Sequence, residues 1–228
     1  MEKTEDIPAK VLFTSSGGKD SMLALYELDK RKTYEVLSLL TTITEGYDRV
    51  SMHGVREALL ERQAEALRIP LEKVLISRDS SNEEYEERMK EKLLHYRSRG
   101  VSTVVFGDIS LEEIRRYREK NLSRVGMKGL FPLWGRDTSE VAATFIDLGF
   151  KAVVTCVDSE MLDRRFIGKE YDREFLRELP DELDPCGENG EFHTFVYDGP
   201  IFSTPIPFKR GATVLRDSRF YFCDLIPV

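Results

Sequence analysis

Along the first 135 residues the apolar positions switch between two periods, and the switches predict the elements. Val11–Phe13, Val36–Thr42, Lys73–Ser77 and Val101–Phe106 are short apolar or β-branched runs, too short for helices, and they read as buried strands. Between them apolar residues fall at helical steps. Met22, Leu23, Leu25, Tyr26 and Leu28 do so within Ser21–Lys30, and Val55, Ala58, Leu59, Ala66 and Leu67 do so before Pro70. Tyr85, Met89, Leu93 and Tyr96 mark one face of the charged run Asn82–Arg99, and Leu111–Leu122 is an Arg-rich helix. Leu130–Trp134, interrupted by Pro132, predicts an edge strand or an extended crossover. Strands separated by helices run parallel, so residues 1–135 are expected to form an α/β domain around a doubly wound parallel sheet.

The pattern then changes. Thr138–Leu148 and Arg173–Leu179 read as helices and Lys151–Val157 as a strand. Phe192–Tyr197, Ile201–Phe202, Ala212–Arg216 and Arg219–Leu225 read as short strands broken by Gly, Pro and Asp. Residues 136–228 are therefore expected to form a smaller α+β C-terminal domain. A boundary near Trp134–Thr138 would leave a cleft between the domains, a common place for a ligand.

Composition narrows the class. A chain of 228 residues with 41% hydrophobic and 33% charged positions is large enough for a real core and polar enough to be soluble. No apolar run approaches a membrane span, and Met1–Lys10 is too charged for a secretory signal, so no membrane partner and a cytoplasmic location are expected. Cys156, Cys186 and Cys223 lie far apart, which argues against a zinc ribbon and suits a reducing compartment. A net charge of -7 disfavours general nucleic-acid binding. A homo-oligomer is left open.

The first strand runs into Ser16-Gly-Gly-Lys-Asp-Ser21 and then a helix. Gly17 and Gly18 allow a tight turn and close approach of the backbone, and the first N–H groups of the helix offer positive partial charge. Together with the hydroxyls of Ser16 and Ser21 and the charge of Lys19, this makes an anion site suited to phosphate. It is not a Walker A loop, because Asp20 follows Lys19 and no glycine stands five residues before Gly18. The polar loop Thr44–Arg49 and the pair Gly107-Asp108 both lie at C-terminal strand ends, where open α/β sheets bind ligands.

A second constellation, Asp184–Thr194, packs Gly187, Gly190, Glu188, Glu191, Asn189 and His193 into one turn-rich segment. Carboxylates beside a bound phosphate can hold Mg²⁺, orient an amine or accept a proton. A polar turn leading into a strand would look similar, with His193 and Thr194 bonded locally.

Ser16–Ser21 resembles the SGGxDS loop of ATP pyrophosphatases (the PP-loop superfamily). Paired with Cys186-Gly-Glu-Asn-Gly-Glu-Phe192, Gly107-Asp108-Ile109, Pro132-Leu133-Trp134 and Phe166-Ile-Gly-Lys169, it is similar to the diphthine–ammonia ligase family over nearly the whole chain. The match is looser at Met52-His53-Gly54. The resemblance implies a HUP/Rossmann-like nucleotide domain. It implies ATP and Mg²⁺ as cofactors and the diphthine carboxylate of translation elongation factor 2 as the protein substrate. Adenylation of that carboxylate would be followed by attack of ammonium nitrogen, giving diphthamide, AMP and pyrophosphate. On this reading Ser16, Gly17, Gly18, Lys19, Asp20, Ser21, His53, Gly107 and Asp108 face ATP, and Asp20 holds the metal. Lys19, Asp20, Glu188 and Glu191 serve catalysis. Trp134, Gly187, Glu188, Asn189, Gly190, Glu191, His193 and Thr194 face the substrate, with Trp134 as a face for its trimethylammonium group. The rival readings are another adenylating enzyme, such as a tRNA-modifying ligase or thiolase, and an ATP-binding sensor without turnover.

Overall fold

The computed structural model describes residues 7–46, 49–50, 53–77 and 80–228. Residues 1–6, Tyr47 and Asp48 of the polar loop, and Met52 lie outside the described residues.

Alternation along β1 (Ala9–Thr14) sorts the first half into two faces. Val11 and Phe13 pack with Met22, Leu23, Leu25 and Leu28 of α1 (Lys19–Arg31), whereas Leu12 packs with Leu93 and Tyr96 of α3 (Asn82–Ser98) and Leu122 of α4 (Glu112–Arg124). Strands β2 (Tyr34–Thr44), β4 (Leu71–Ile76), β5 (Thr103–Val105) and β6 (Lys128–Leu130) join β1 in parallel register. The order β4-β2-β1-β5-β6 is that of a doubly wound sheet, with its topological switch between β1 and β5. The short β3 (Arg49–Val50) pairs antiparallel with Ile43 and Thr44, on the side of β2 that β1 occupies lower down. It thus extends the sheet past the end of β1, beside the loop that follows that strand.

The second half builds a four-stranded antiparallel sheet in the order β8-β7-β10-β9, from β7 (Lys151–Asp158), β8 (Phe192–Asp198), β9 (Phe208–Arg216) and β10 (Phe220–Pro227). Helix α5 (Thr138–Asp147) starts where the Asp137 carboxylate accepts the Glu140 N–H at 3.0 Å, a side-chain cap at the junction of the two halves. The short α6 (Arg173–Glu178) is capped likewise by Asp172. One apolar cluster runs through both halves, from Phe13 and Met22 to Phe145, Tyr171, Phe175 and Phe192. Each such buried aromatic contributes about 1.5–3 kcal/mol relative to exposure.

Two expected elements differ. Leu130 ends a fifth parallel strand, and the residues after it form a turn: the Trp134 N–H donates to Phe131 O at 3.2 Å, and Pro132 has no N–H to offer a ladder. Ile201–Phe202 is no strand, because the Phe202 N–H turns back onto Gly199 O at 3.0 Å.

An ion-pair cluster pins the β2–β3 hairpin and helix α2 (Glu57–Leu67) to the second sheet. Asp224 on β10 accepts from Arg49 Nη2 at 2.8 Å and from Arg56 Nε and Nη2 at 2.9 and 2.7 Å. Hydrogen bonds from Arg56 outweigh burial and, helped by Arg49, hold the Asp224 carboxyl down at about 2. A carboxyl depressed in the folded state stabilises above its unfolded pKa and loses that contribution as pH falls through the folded one. Thermal melts should therefore show a loss of about 1–2 kcal/mol between pH 4 and pH 2 that is absent from Asp224→Asn. Equal acid slopes for both proteins would refute this.

Candidate active site

The turn after β1 is fixed by its own hydroxyls and by the other half of the protein. Ser15 Oγ accepts the Gly17 N–H at 3.2 Å and Ser16 Oγ accepts the Gly18 N–H at 3.3 Å. Gly17 has φ +79°, and a Cβ there would stand 2.5 Å from Leu60 Cδ2, so only glycine fits. Its carbonyl accepts from Val196 N–H on β8 at 2.9 Å and from Gln63 Nε2 on α2 at 3.1 Å.

Gly18, the N-cap of α1, has no side chain to offer, and Thr194 on β8 supplies the missing cap: its Oγ1 accepts the Lys19 N–H at 3.1 Å. The N–H groups of Asp20 and Ser21 precede the first intrahelical bond, Met22 N–H to Gly18 O at 3.1 Å, and belong to the positive end of the helix dipole. Thr194→Val should cost about 1 kcal/mol in denaturant unfolding because it strands the Lys19 amide. Thr194→Ser should restore that loss, and an unaltered midpoint for the valine variant would contradict the trans cap.

Lys19 does not face the ligand space. Its ammonium is buried, 2.8 Å from Asp20 Oδ2, and donates to the carbonyl of Cys186; it lies 5.7 and 5.5 Å from the ring centroids of Tyr171 and Phe192. Burial alone would lower the Lys19 pKa, but the charge of Asp20 beside it reverses the direction, so the group stays protonated. The lysine thus fastens the second constellation to the phosphate loop.

Within that constellation Asp184 accepts the N–H groups of Cys186 and Glu188 at 2.7 and 3.3 Å. Glu191 is buried and takes the N–H groups of Asp184 and Asn189 and the amide of Asn189 at 2.9–3.2 Å. It shapes the loop from inside. Glu188 reaches the other way: Oε1 accepts both the Ile109 and the Ser110 N–H at 3.0 Å, across to the β5–α4 connection. Burial raises the Glu188 pKa, and those two N–H groups offset it only in part.

A cavity of about 1170 Å³ opens at the C-terminal end of the parallel sheet, beside the β1–β5 switch. Its wall brings together Ser16, Asp20, Ser21, Gly107 and Asp108 from the first half. Gly187, Glu188, Asn189, Gly190 and His193 close it from the second, with His53 beside them. Gly107 is there for closeness, since a Cβ would stand 3.0 Å from Ser21 N and Asp20 C. The Asp108 carboxylate is matched by Arg118 Nε at 2.7 Å. His53 and His193 lie against each other with ring centroids 4.3 Å apart and planes tilted by 36°. Burial pushes the His193 imidazole down to about 4, and burial, His193 and Lys19 hold that of His53 well below its ordinary range. Trp134 stands outside the cavity wall, with the Arg115 guanidinium 4.6 Å from its ring centroid.

Residues 9–129 match the family described as Diphthamide synthase N-terminal domain, and residues 137–222 match Diphthamide synthase C-terminal domain. The chain belongs to the diphthamide synthase family. A diphthine–ammonia ligase of Schizosaccharomyces pombe is 29% identical over 233 residues, which is 92% of this chain but 38% of that protein. One from Danio rerio is 25% identical over 229 residues, 91% of this chain and 89% of that protein. Among solved structures, a U34-tRNA thiolase of Methanococcus maripaludis superposes with TM-score 0.40 at 14% identity, covering 65% of this chain and 61% of that one.

Four residues of this diphthamide synthase family site are not singled out by the motifs. Ser15 stands one place before the motif, and Tyr171 bonds the loop through Pro185 O at 2.7 Å. Thr41 presents a buried hydroxyl at the cavity wall with no partner among the described residues. Gln63 had a sequence signal: it is an amide inside the apolar stripe of α2, and its Nε2 bridges Gly17 O and Val196 O, the latter at 2.7 Å.

Proposed function

We propose that this chain amidates the diphthine carboxylate of translation elongation factor 2, using ATP and ammonium and passing through an acyl adenylate. The observation that carries the reading is the fusion of the two motifs into one site: Thr194 caps the helix of the phosphate loop while Lys19 holds Cys186 of the second segment. A nucleotide sensor would need only the first motif. The names of the relatives point the same way. We place the division between a nucleotide-binding half and a substrate-binding half at residues 135/136.

On this reading the loop amides and the hydroxyls of Ser16 and Ser21 take the phosphates. The apolar end of the cavity, with Leu40, Ile76, Met89 and the hydroxyl of Thr41, takes the base. Among the described residues no cluster of three or more His, Cys, Asp or Glu could cage a metal. Mg²⁺ needs no such cage, because it binds through one or two carboxylates with phosphate and water making up the rest. Asp20, on the cavity wall beside the loop amides, fits that donor set and would hold it; the ion would neutralise charge on the departing pyrophosphate.

The substrate carboxylate attacks the α-phosphorus and pyrophosphate leaves. Ammonia then adds to the acyl carbon, and AMP leaves with the electron pair of the broken C–O bond. Glu188, its basicity raised by burial, accepts the proton that ammonium must shed. Trp134 is already covered by Arg115, so the protein substrate is assigned to the wall formed by Gly187–Gly190. Incubation with ATP, ammonium and diphthine-bearing elongation factor 2 tests the proposal. AMP, pyrophosphate and amide should appear in equal amounts, and stoichiometric ADP would overturn it.

A further inference from the structure

His53 carries an unexplained lone pair. Nδ1 is buried without a partner among the described residues, and the Thr194 backbone beside the ring favours a proton on the other nitrogen, Nε2. A neutral imidazole that donates through Nε2 leaves Nδ1 as a bare acceptor. An acceptor withdrawn from water and left unmatched costs free energy, which calls for an explanation by a ligand or a function.

The position limits what that ligand is. Cε1, which lies between the two ring nitrogens, is 3.6 Å from where a Cβ on Gly18 would stand, so the ring is beside the phosphate loop. Phosphate oxygens are acceptors and would meet an unprotonated nitrogen lone pair to lone pair. Protonating His53 to suit them is opposed by burial, by the His193 ring 4.3 Å away and by the charge of Lys19. The missing partner must therefore bring its own N–H or O–H. It must be small, because Nδ1 is buried, and its natural surroundings are the two imidazole faces with Glu188 and Asp20 on the same cavity wall.

From this we infer that His53, seated against His193, is the binding site for the nitrogen donor of the reaction, accepting an N–H of ammonium or ammonia at Nδ1. The inference rests on the amidation proposed above and adds a residue-level seat for its second substrate. Ammonium offers four donors at tetrahedral angles, so one can engage His53 while another faces a carboxylate of the wall. Held beside the phosphate loop, the nitrogen is next to the position that the acyl–phosphate bond must occupy. The role is one of positioning: His53 fixes the nucleophile and neither gains nor loses a covalent bond.

The test uses the full chain, diphthine-bearing elongation factor 2, ATP, Mg²⁺ and ammonium chloride as the varied substrate. His53→Ala removes the acceptor and should raise the ammonium KM about 10–100-fold, the range for a charge-assisted hydrogen bond. Substrate-dependent exchange between pyrophosphate and ATP, which needs no ammonium, should change far less than the ammonium KM does. His53→Asn places an amide oxygen near Nδ1 and should recover most of the ammonium affinity. If His53→Ala does not fold, His53→Phe decides, since it keeps a ring against His193 but no acceptor. An unchanged ammonium KM in Ala or Phe with amide still formed overturns the seat and leaves the amidation intact. A rise in the ATP KM in place of the ammonium KM also overturns it, by assigning Nδ1 to the nucleotide. A wild-type protein that makes no amide at any ammonium concentration overturns the proposed function, and the seat falls with it.

Discussion

Lys19→Met should destabilise the protein by about 1–3 kcal/mol in guanidinium unfolding, the cost of leaving the buried Cys186 carbonyl and the part-buried Asp20 carboxylate without their donor. A lysine reaching into open solvent for a phosphate would cost far less on removal, with surface changes mostly within about 0.5 kcal/mol. The difference arises because this ammonium is buried among Asp20, the Cys186 carbonyl and the rings of Tyr171 and Phe192. Pairing it with Asp20→Asn should return part of the loss, since the second change removes the stranded carboxylate. A single variant of near-normal stability whose ATP affinity nevertheless collapses would show that Lys19 works on the phosphates.

The second large effect falls on turnover. Glu188→Gln keeps an oxygen for the Ile109 and Ser110 N–H groups but removes basicity. Amide formation should drop about 10²–10⁴-fold, the usual contribution of a general base, while ATP affinity holds. The pH profile gives an independent readout. Burial raises the Glu188 pKa, so in the wild type kcat/KM should fall as pH drops through a value above the ordinary glutamate range. The base is then protonated and unable to act. That acidic limb should vanish in Glu188→Gln. Wild-type rates in the variant would reduce Glu188 to a latch between the two halves. Glu191→Gln should behave differently, losing stability and turnover together, because its carboxylate is turned into the loop.

Much of the first half was legible because its signals are local. Apolar runs and helical steps carry their own period, and β1, α1, β2, α2, β4 and α3 stand where those periods put them. The strands β3 and β6 have two and three residues, too few for any period to register, and only their neighbours make them strands. The residues that the cavity brings together were legible as a set but not as a set of directions. A motif fixes where Lys19 stands on the chain, whereas a side chain with four methylenes can point to phosphate or to protein, and the partner that decides is Cys186. The roles of Thr194 and Trp134 were hidden for the same reason. Each is set by a backbone N–H or a guanidinium brought up from distant sequence, Lys19 in one case and Arg115 in the other.

The bracing of the Gly17 carbonyl by Val196 and Gln63 has a bearing on ancestry. The phosphate turn draws part of its shape from a strand encoded far downstream, at Phe192–Asp198. A gene fragment ending near residue 135 would specify every letter of the nucleotide motif and still lack the strand that holds it open. Such a fragment is poor currency for gene fusion, because a recipient would have to supply an equivalent of β8 in the same place. The Gly17 carbonyl takes one bond from its own half, through Gln63, and one from the other, through Val196, so the full bracing of the turn is inherited only when both halves descend together.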